Sequence, residues 1–266
     1  RLNRKLEFLP ADDILLERQS HSLGLTRPEL SILISYAKAV LKEDLAADNI
    51  ADNAYVAKAV EGAFPEKIAA EFSVPLYNHR LKREIVATQI ANDMVNNMGI
   101  SFAQRLIEST GASVGDVAKA YIAARDVYQM EQFILDLQAL DHQLPAKIQY
   151  ELMINMMRRV RRATRWFLRN RRSNIDPAVE VDFFAPAVAN ISAQLPVLLL
   201  GGQLEELQGQ YQRLQESGVP QDLIVRASSA SYLFSGFSVA EAARRSGRDI
   251  VAVTQLYFLL SDTLSL

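Results

Sequence analysis

Cysteine is absent from the 266 residues. That excludes a disulfide scaffold, a thiolate metal site and a cysteine nucleophile. It is compatible with a reducing compartment. An excess of one charge is missing too. Twenty-nine Lys and Arg stand against 31 Asp and Glu, for a formal net charge of −2. No bulk attraction to nucleic acid or an anionic membrane is expected from that balance. Strand signals are scarce: there is no sustained alternation, no Asn-Gly or Asp-Gly hairpin turn, and no strand–glycine-loop–helix unit. No segment reaches the roughly 18 apolar residues of a membrane span. The longest candidate, 250–260, is broken by Thr254 and Gln255. The first ten residues, RLNRKLEFLP, have no apolar signal-peptide core. The chain begins at Arg1 rather than Met, as expected of a piece of something longer.

What is present is helix. Apolar residues make up 49% and charged residues 23%, an ordinary globular balance. The length suits one large or two medium domains. Thr26 with Glu29 forms a capping box, with Pro28 in the first turn, opening a helix striped by Ile32, Leu33, Tyr36, Val40 and Leu41. Shorter helices are expected near 53–62 and 65–72, then a longer one over 78–98 ended by Gly99. Ser101 and the Ser113–Asp116 pair open the next two. A further helix runs near 130–140. Pro145 begins the longest, to Arg172, about 40 Å at 1.5 Å per residue. The SNIDP break at 173–177 is the expected domain boundary. The prediction is all-α: a multi-helix bundle over 1–172 with one long Arg-rich helix, then a smaller, more irregular helical part over 173–266.

The helix within 83–99, REIVATQIANDMVNNMG, has an unusual polar face. Thr88, Gln89, Asn92, Asp93, Asn96 and Asn97 recur on one side, opposite Val86, Ile90, Met94 and Val95. A solvated face is normally Lys and Glu, and Asn is a poor helix former. The face therefore reads as a buried, hydrogen-bonded polar seam or as a ligand or partner face. In the longest helix, Arg158, Arg162, Arg165, Arg169 and Arg172 recur at steps of four and three. They share one side, opposite a buried side of Met153, Met156, Val160, Ala163 and Phe167. Such a stripe can bind phosphate or pair with carboxylates. Balanced charge and the lack of interleaved aromatics favour carboxylates on neighbouring helices or subunits. Trp166, the one tryptophan, is expected to pack.

Three weaker patterns carry little. The run 239–256 resembles a helix-turn-helix, with Ala243, Gly247, Val253 and Leu256 at its small, turn and core positions. Its second helix offers no Arg or Lys for phosphate or guanine. Asp12, Asp13 and Glu17, set against Asn92, Asp93 and Asn96, look superficially like the paired metal motifs of helical lyases. The second motif lacks its final acid, and the first sits where acids suit a helix dipole. His21, His79 and His142 are scattered, without metal-ligand spacing. No catalytic, cofactor-binding or metal-binding set emerges.

The wording of several runs is distinctive: RLNRKLEFLP at 1–10, LTRPELSILISYAKAVLKEDL at 25–45, REIVATQIANDMVNNMGISFAQRL at 83–106, GASVGDVAKAYIAARDVY at 111–128 and RRATRWFLRNRR at 161–172. Together they resemble the C-terminal region of the large bacterial NAD-specific glutamate dehydrogenases. The likeness spans essentially the whole chain and is strongest before residue 172. It implies a full-length cytoplasmic, homo-oligomeric oxidoreductase that converts L-glutamate, NAD and water to 2-oxoglutarate, ammonium and NADH. It also implies that NAD and the catalytic lysine and aspartate lie upstream of the residues matching Arg1, and that the family continues past Leu266. No catalytic residue transfers to this chain. Its partners would be the rest of its own polypeptide and other subunits. The alternatives are an amino-acid or nucleotide effector site on the amide face, and nucleic-acid binding through the Arg helix.

Overall fold

The computed structural model describes residues 2–171, 174–228 and 235–264. Among these, every regular element is helical. The chain divides into two compact units, 1–115 and 116–266.

In the first unit, α1 (Asp12–Ser20) leads to α2 (Arg27–Ala47). The capping box forms as expected. Thr26 N–H donates to Glu29 Oε2 at 2.7 Å, and Glu29 N–H donates to Thr26 Oγ1 at 3.5 Å. Arg18 clamps the same Glu29 carboxylate at 2.8 Å, tying α1 to the start of α2. Short 3₁₀ turns at Ile50–Asp52 and Lys58–Ala63 flank α3 (Ala54–Ala57). Then come α4 (Glu66–Glu71), α5 (Ser73–Tyr77), α6 (Lys82–Met98) and α7 (Phe102–Thr110). The apolar stripe of α6 is Val86, Ile90, Ala91, Met94, Val95 and Met98. It is buried and packs on α2 and both 3₁₀ turns. Gly99 ends α6 at φ +90°, where a side chain would be strained.

Helix α8 (Val114–Val127) begins at the unit boundary. Gly115 N–H donates to the Asp48 carboxylate at 3.1 Å. A Cβ on Gly115 would lie 2.2 Å from Asp48 Oδ1, so only glycine permits this approach.

The second unit holds α9 (Met130–Gln138), α10 (Ala146–Arg171), α11 (Pro177–Leu198), α12 (Gly201–Glu216), α13 (Gln221–Ser228), α14 (Gly236–Ser246) and α15 (Ile250–Leu264). Helix α10 buries Leu152, Met156, Val160, Ala163, Phe167 and Leu168, while Met153 is half-buried. Phe167, Trp166, Phe184 and Phe237 form one cluster, with ring centroids 4.9–5.5 Å apart. Such pairs add about 0.5–1.5 kcal/mol each beyond area burial. They join α10, α11 and α14 across the SNIDP segment. That break therefore lies inside the second unit, and the compact units divide at 115–116 instead.

Two further expectations change. Helix α11 is long and apolar enough to span a membrane by length and composition, although no such segment was expected. It packs against α12, α13, α14 and α15 and carries the buried Glu180. The helix-turn-helix likeness fails in packing. Gly247 makes the left-handed turn (φ +65°) and Ala243 is buried, but Leu256 is 50% exposed. Helix α15 turns Thr254 and Phe258 inward instead.

Candidate functional site

Arginine positions on α10 decide what the long helix can do. At about 100° per residue, Arg158, Arg162, Arg165 and Arg169 lie roughly 180° from the stripe of Val160, Ala163 and Phe167. All four are exposed. Arg172 lies outside the described residues. Arg158, Arg165 and Arg169 make no ion pair among the described residues. The geometry explains this, because a face opposite the core turns away from the helices of its own unit. Arg161 and Arg162 have interactions of their own.

The arginines that do pair are others. Arg171 Nε donates to Glu180 Oε1 at 2.6 Å and its Nη2 to Glu241 Oε2 at 2.8 Å. Its guanidinium lies 5.3 Å from the Trp166 ring centre and 5.6 Å from that of Phe184. Arg244 adds a 3.0 Å contact to Glu241. Burial raises the Glu241 pKa, but bonds from Arg171 and Arg244 outweigh it, leaving the carboxyl below its ordinary value. Arg159 is 5% exposed and donates to the carbonyls of Arg226 and Ala227. It thereby satisfies acceptors near the α13 C-terminus. Burial lowers its pKa to about 10. Arg226 binds Asp136, and Arg213 binds Glu151. Trp166 packs as expected and donates Nε1–H to Ser238 at 3.0 Å.

The amide face of α6 is half-buried rather than buried. Thr88, Gln89, Asn92 and Asp93 are partly covered, and Asn96 is exposed. Two bonds stay within the helix, and Asp93 has a further interaction of its own. Thr88 Oγ1 donates to Glu84 O and Asn97 Nδ2 to Asp93 Oδ1, each at 2.6 Å. Asn92 and Asn96 make no side-chain hydrogen bond among the described residues, so no bonded interhelical seam forms through them. Short polar side chains can satisfy themselves one turn back.

Two cavities stand apart from both predicted faces. In the first unit, α2, the end of α6 and α7 enclose about 420 Å³. Tyr36, Asp44, Met94, Phe102 and Gln104 are among its walls, and none of Thr88, Gln89, Asn92, Asp93 or Asn96 is. Asp44 was missed in the sequence. Its signal was an acid four residues beyond Val40 on an apolar stripe. In the second unit, α11, α14 and the start of α15 enclose about 510 Å³, with Phe183, Arg244 and Arg248 among the walls. Among the described lining residues, Asp44 is the one charged group of the first cavity, while the second carries Asp182, Arg244 and Arg248. The three histidines sit apart, at the α1 C-cap and in the turns before α6 and α10.

The chain resembles known proteins along its whole length. The chain is 46% identical over its full length to an NAD-specific glutamate dehydrogenase of Pseudomonas aeruginosa and 41% identical to one of Halomonas elongata. It is 29% identical over 99% of its length to the Mycobacterium tuberculosis protein of that name. It spans only 16% of the length of each of these relatives. Residues 22–266 match the family described as glutamate dehydrogenase, C-terminal, and the chain belongs to that family.

Proposed function

We propose that this region is a helical accessory part of an NAD-dependent glutamate dehydrogenase, making contacts within its own polypeptide or between subunits. The relatives' name, NAD-specific glutamate dehydrogenase, supports the activity of the whole: L-glutamate, NAD and water give 2-oxoglutarate, ammonium and NADH. A cytoplasmic homo-oligomer is part of the proposal and does not follow from that name. The nicotinamide chemistry would then sit elsewhere in the polypeptide. The contact role rests on one observation, the exposed arginine face of α10. Arg158, Arg165 and Arg169 pair with no carboxylate among the described residues, and a guanidinium row suits bidentate carboxylates on another surface. A two-fold contact centred on α10 would set arginine against arginine, so the opposing surface is acidic.

The test is charge reversal of Arg158, Arg165 and Arg169 to Glu in the full-length enzyme. The 266-residue chain carrying the same changes should keep its melting temperature. The full-length enzyme should lose assembly or fall several-fold in specific activity. Unchanged assembly and activity would refute the contact role. Nucleic-acid binding is the second reading that an exposed arginine row supports. Trp166 is committed to Ser238 and to neighbouring rings, so it is not free to stack on bases. Tight binding with a slope near −0.9 per phosphate contact on duplex DNA would favour that reading instead.

A further inference from the structure

We propose that the cavity of the first unit is a binding site for a lipophilic primary amine, a molecule with an apolar body and an ammonium head. Its volume, about 420 Å³, lies in the range of roughly 300–1,000 Å³ typical of small-molecule sites. The inner wall is rigid core: Leu41, Met94, Val95 and Phe102 are each under 9% exposed. An apolar body enters such a space without breaking protein hydrogen bonds.

The polar side chains that line the cavity among the described residues each present an acceptor. Asp44 is the one charged residue among them, and it is exposed. Gln104 donates Nε2–H to Glu108 at 2.9 Å, so its side-chain oxygen is left to accept. Tyr36 gives its hydroxyl proton to Glu7. A carboxylate, an amide oxygen and a phenol oxygen together ask for a donor, and a cationic one is favoured by Asp44. Among the described residues, no lining side chain is a cation. An α-amino acid would therefore bring its carboxylate against Asp44 with no side-chain cation to receive it, and a nucleotide its phosphates. The site thus selects a simple amine against both effector classes expected from sequence, and its test is independent of any dehydrogenase activity.

Calorimetric titration of the 266-residue chain with 2-phenylethylamine, 2-phenylethanol and L-phenylalanine separates the contributions. The amine should bind saturably at one site, about tenfold more tightly than the alcohol, as expected for one partly screened charge-assisted bond. L-Phenylalanine should bind more weakly than the amine by at least as much. Asp44→Asn, at an exposed position, should leave the fold intact and reduce the amine-to-alcohol ratio to near one. Ala103→Trp, on the cavity wall, should abolish binding of both. Absence of saturable amine binding at millimolar concentration overturns the proposal. So does equal binding of phenylalanine, or an amine preference that survives Asp44→Asn.

Discussion

Arg171→Met is the sharpest test of how the second unit is held. The wild-type side chain is 15% exposed and bridges Glu180, 8% exposed, and Glu241, 18% exposed. Methionine keeps an unbranched stem against Trp166 and Phe184 but removes every donor. Glu241 retains Arg244 at 3.0 Å, so Glu180 is the group stranded. Removing one partner of a buried ion pair costs about 3–5 kcal/mol. The residual exposure argues for the lower end, about 3 kcal/mol. For a unit of this size that corresponds to a melting temperature lower by about 6–12 °C.

The double variant Arg171→Met/Glu180→Met should recover most of the loss, because two apolar groups replace the pair without leaving a buried charge. Arg165→Met, on the exposed face of the same helix, is the control and should change stability by less than about 0.5 kcal/mol. Urea unfolding of the 266-residue chain followed by circular dichroism reads all three. If Arg171→Met matches Arg165→Met, the bridge is not holding α10, α11 and α14 together. If the double variant is no better than the single one, the loss is packing rather than a stranded carboxylate.

Gly115→Ala should destabilise by about 1–2 kcal/mol, since the new Cβ displaces the Asp48 carboxylate and orphans a helix N–H. In an Asp48→Ala background the sign should reverse, because alanine is the better helix former by up to about 1 kcal/mol; a double-mutant cycle by urea unfolding checks both. Asn92→Leu should stay within about 0.5 kcal/mol of wild type, and a melting temperature several degrees lower would restore the buried seam that α6 lacks here. Folding should weaken in acid. Asp136 is held below its ordinary pKa by bonds from Gln132 and Arg226, Glu151 by Arg213, and Glu29 by Arg18 and Thr26. Each depressed carboxylate contributes stability that is complete above its unfolded pKa and is lost as pH falls through its folded pKa. Arg226→Met should flatten that acid limb in unfolding curves taken at successive pH values.

The helices were legible because their signals are local. Thr26, Glu29 and Pro28 mark the start of α2, and Gly99 marks the end of α6, through backbone chemistry that needs no neighbour. The buried side of α10 followed from periodicity alone. The domain boundary did not. A Ser/Asn/Pro segment signals a chain break equally well whether or not aromatic rings later bridge it, and Phe167, Phe184 and Phe237 come from three separate helices. Leu256 was misplaced for a related reason. The turn at Gly247 was readable, but the rotation of α15 depends on what α11 and α14 offer it.

The same distinction governs the site residues. A run such as RRVRRATRWFLRNRR fixes which arginines share a face, because that is arithmetic on the helical turn. It does not say which of them meet carboxylates. That depends on where Glu180 and Glu241 fall, nine and seventy residues away from Arg171. The stripe drew attention because of its regularity, yet regularity opposite an apolar stripe directs side chains away from their own core. Among the bonded cations are two irregular ones, Arg159 and Arg171, lying near the apolar side, where a charge persists only if it is bonded. Asp44 differs, being exposed on the apolar stripe of α2. Out-of-pattern charges on apolar stripes were nonetheless more informative than the pattern itself. They mark an internal bond at Arg159 and Arg171, and at Asp44 an acceptor with no bonded side-chain partner among the described residues.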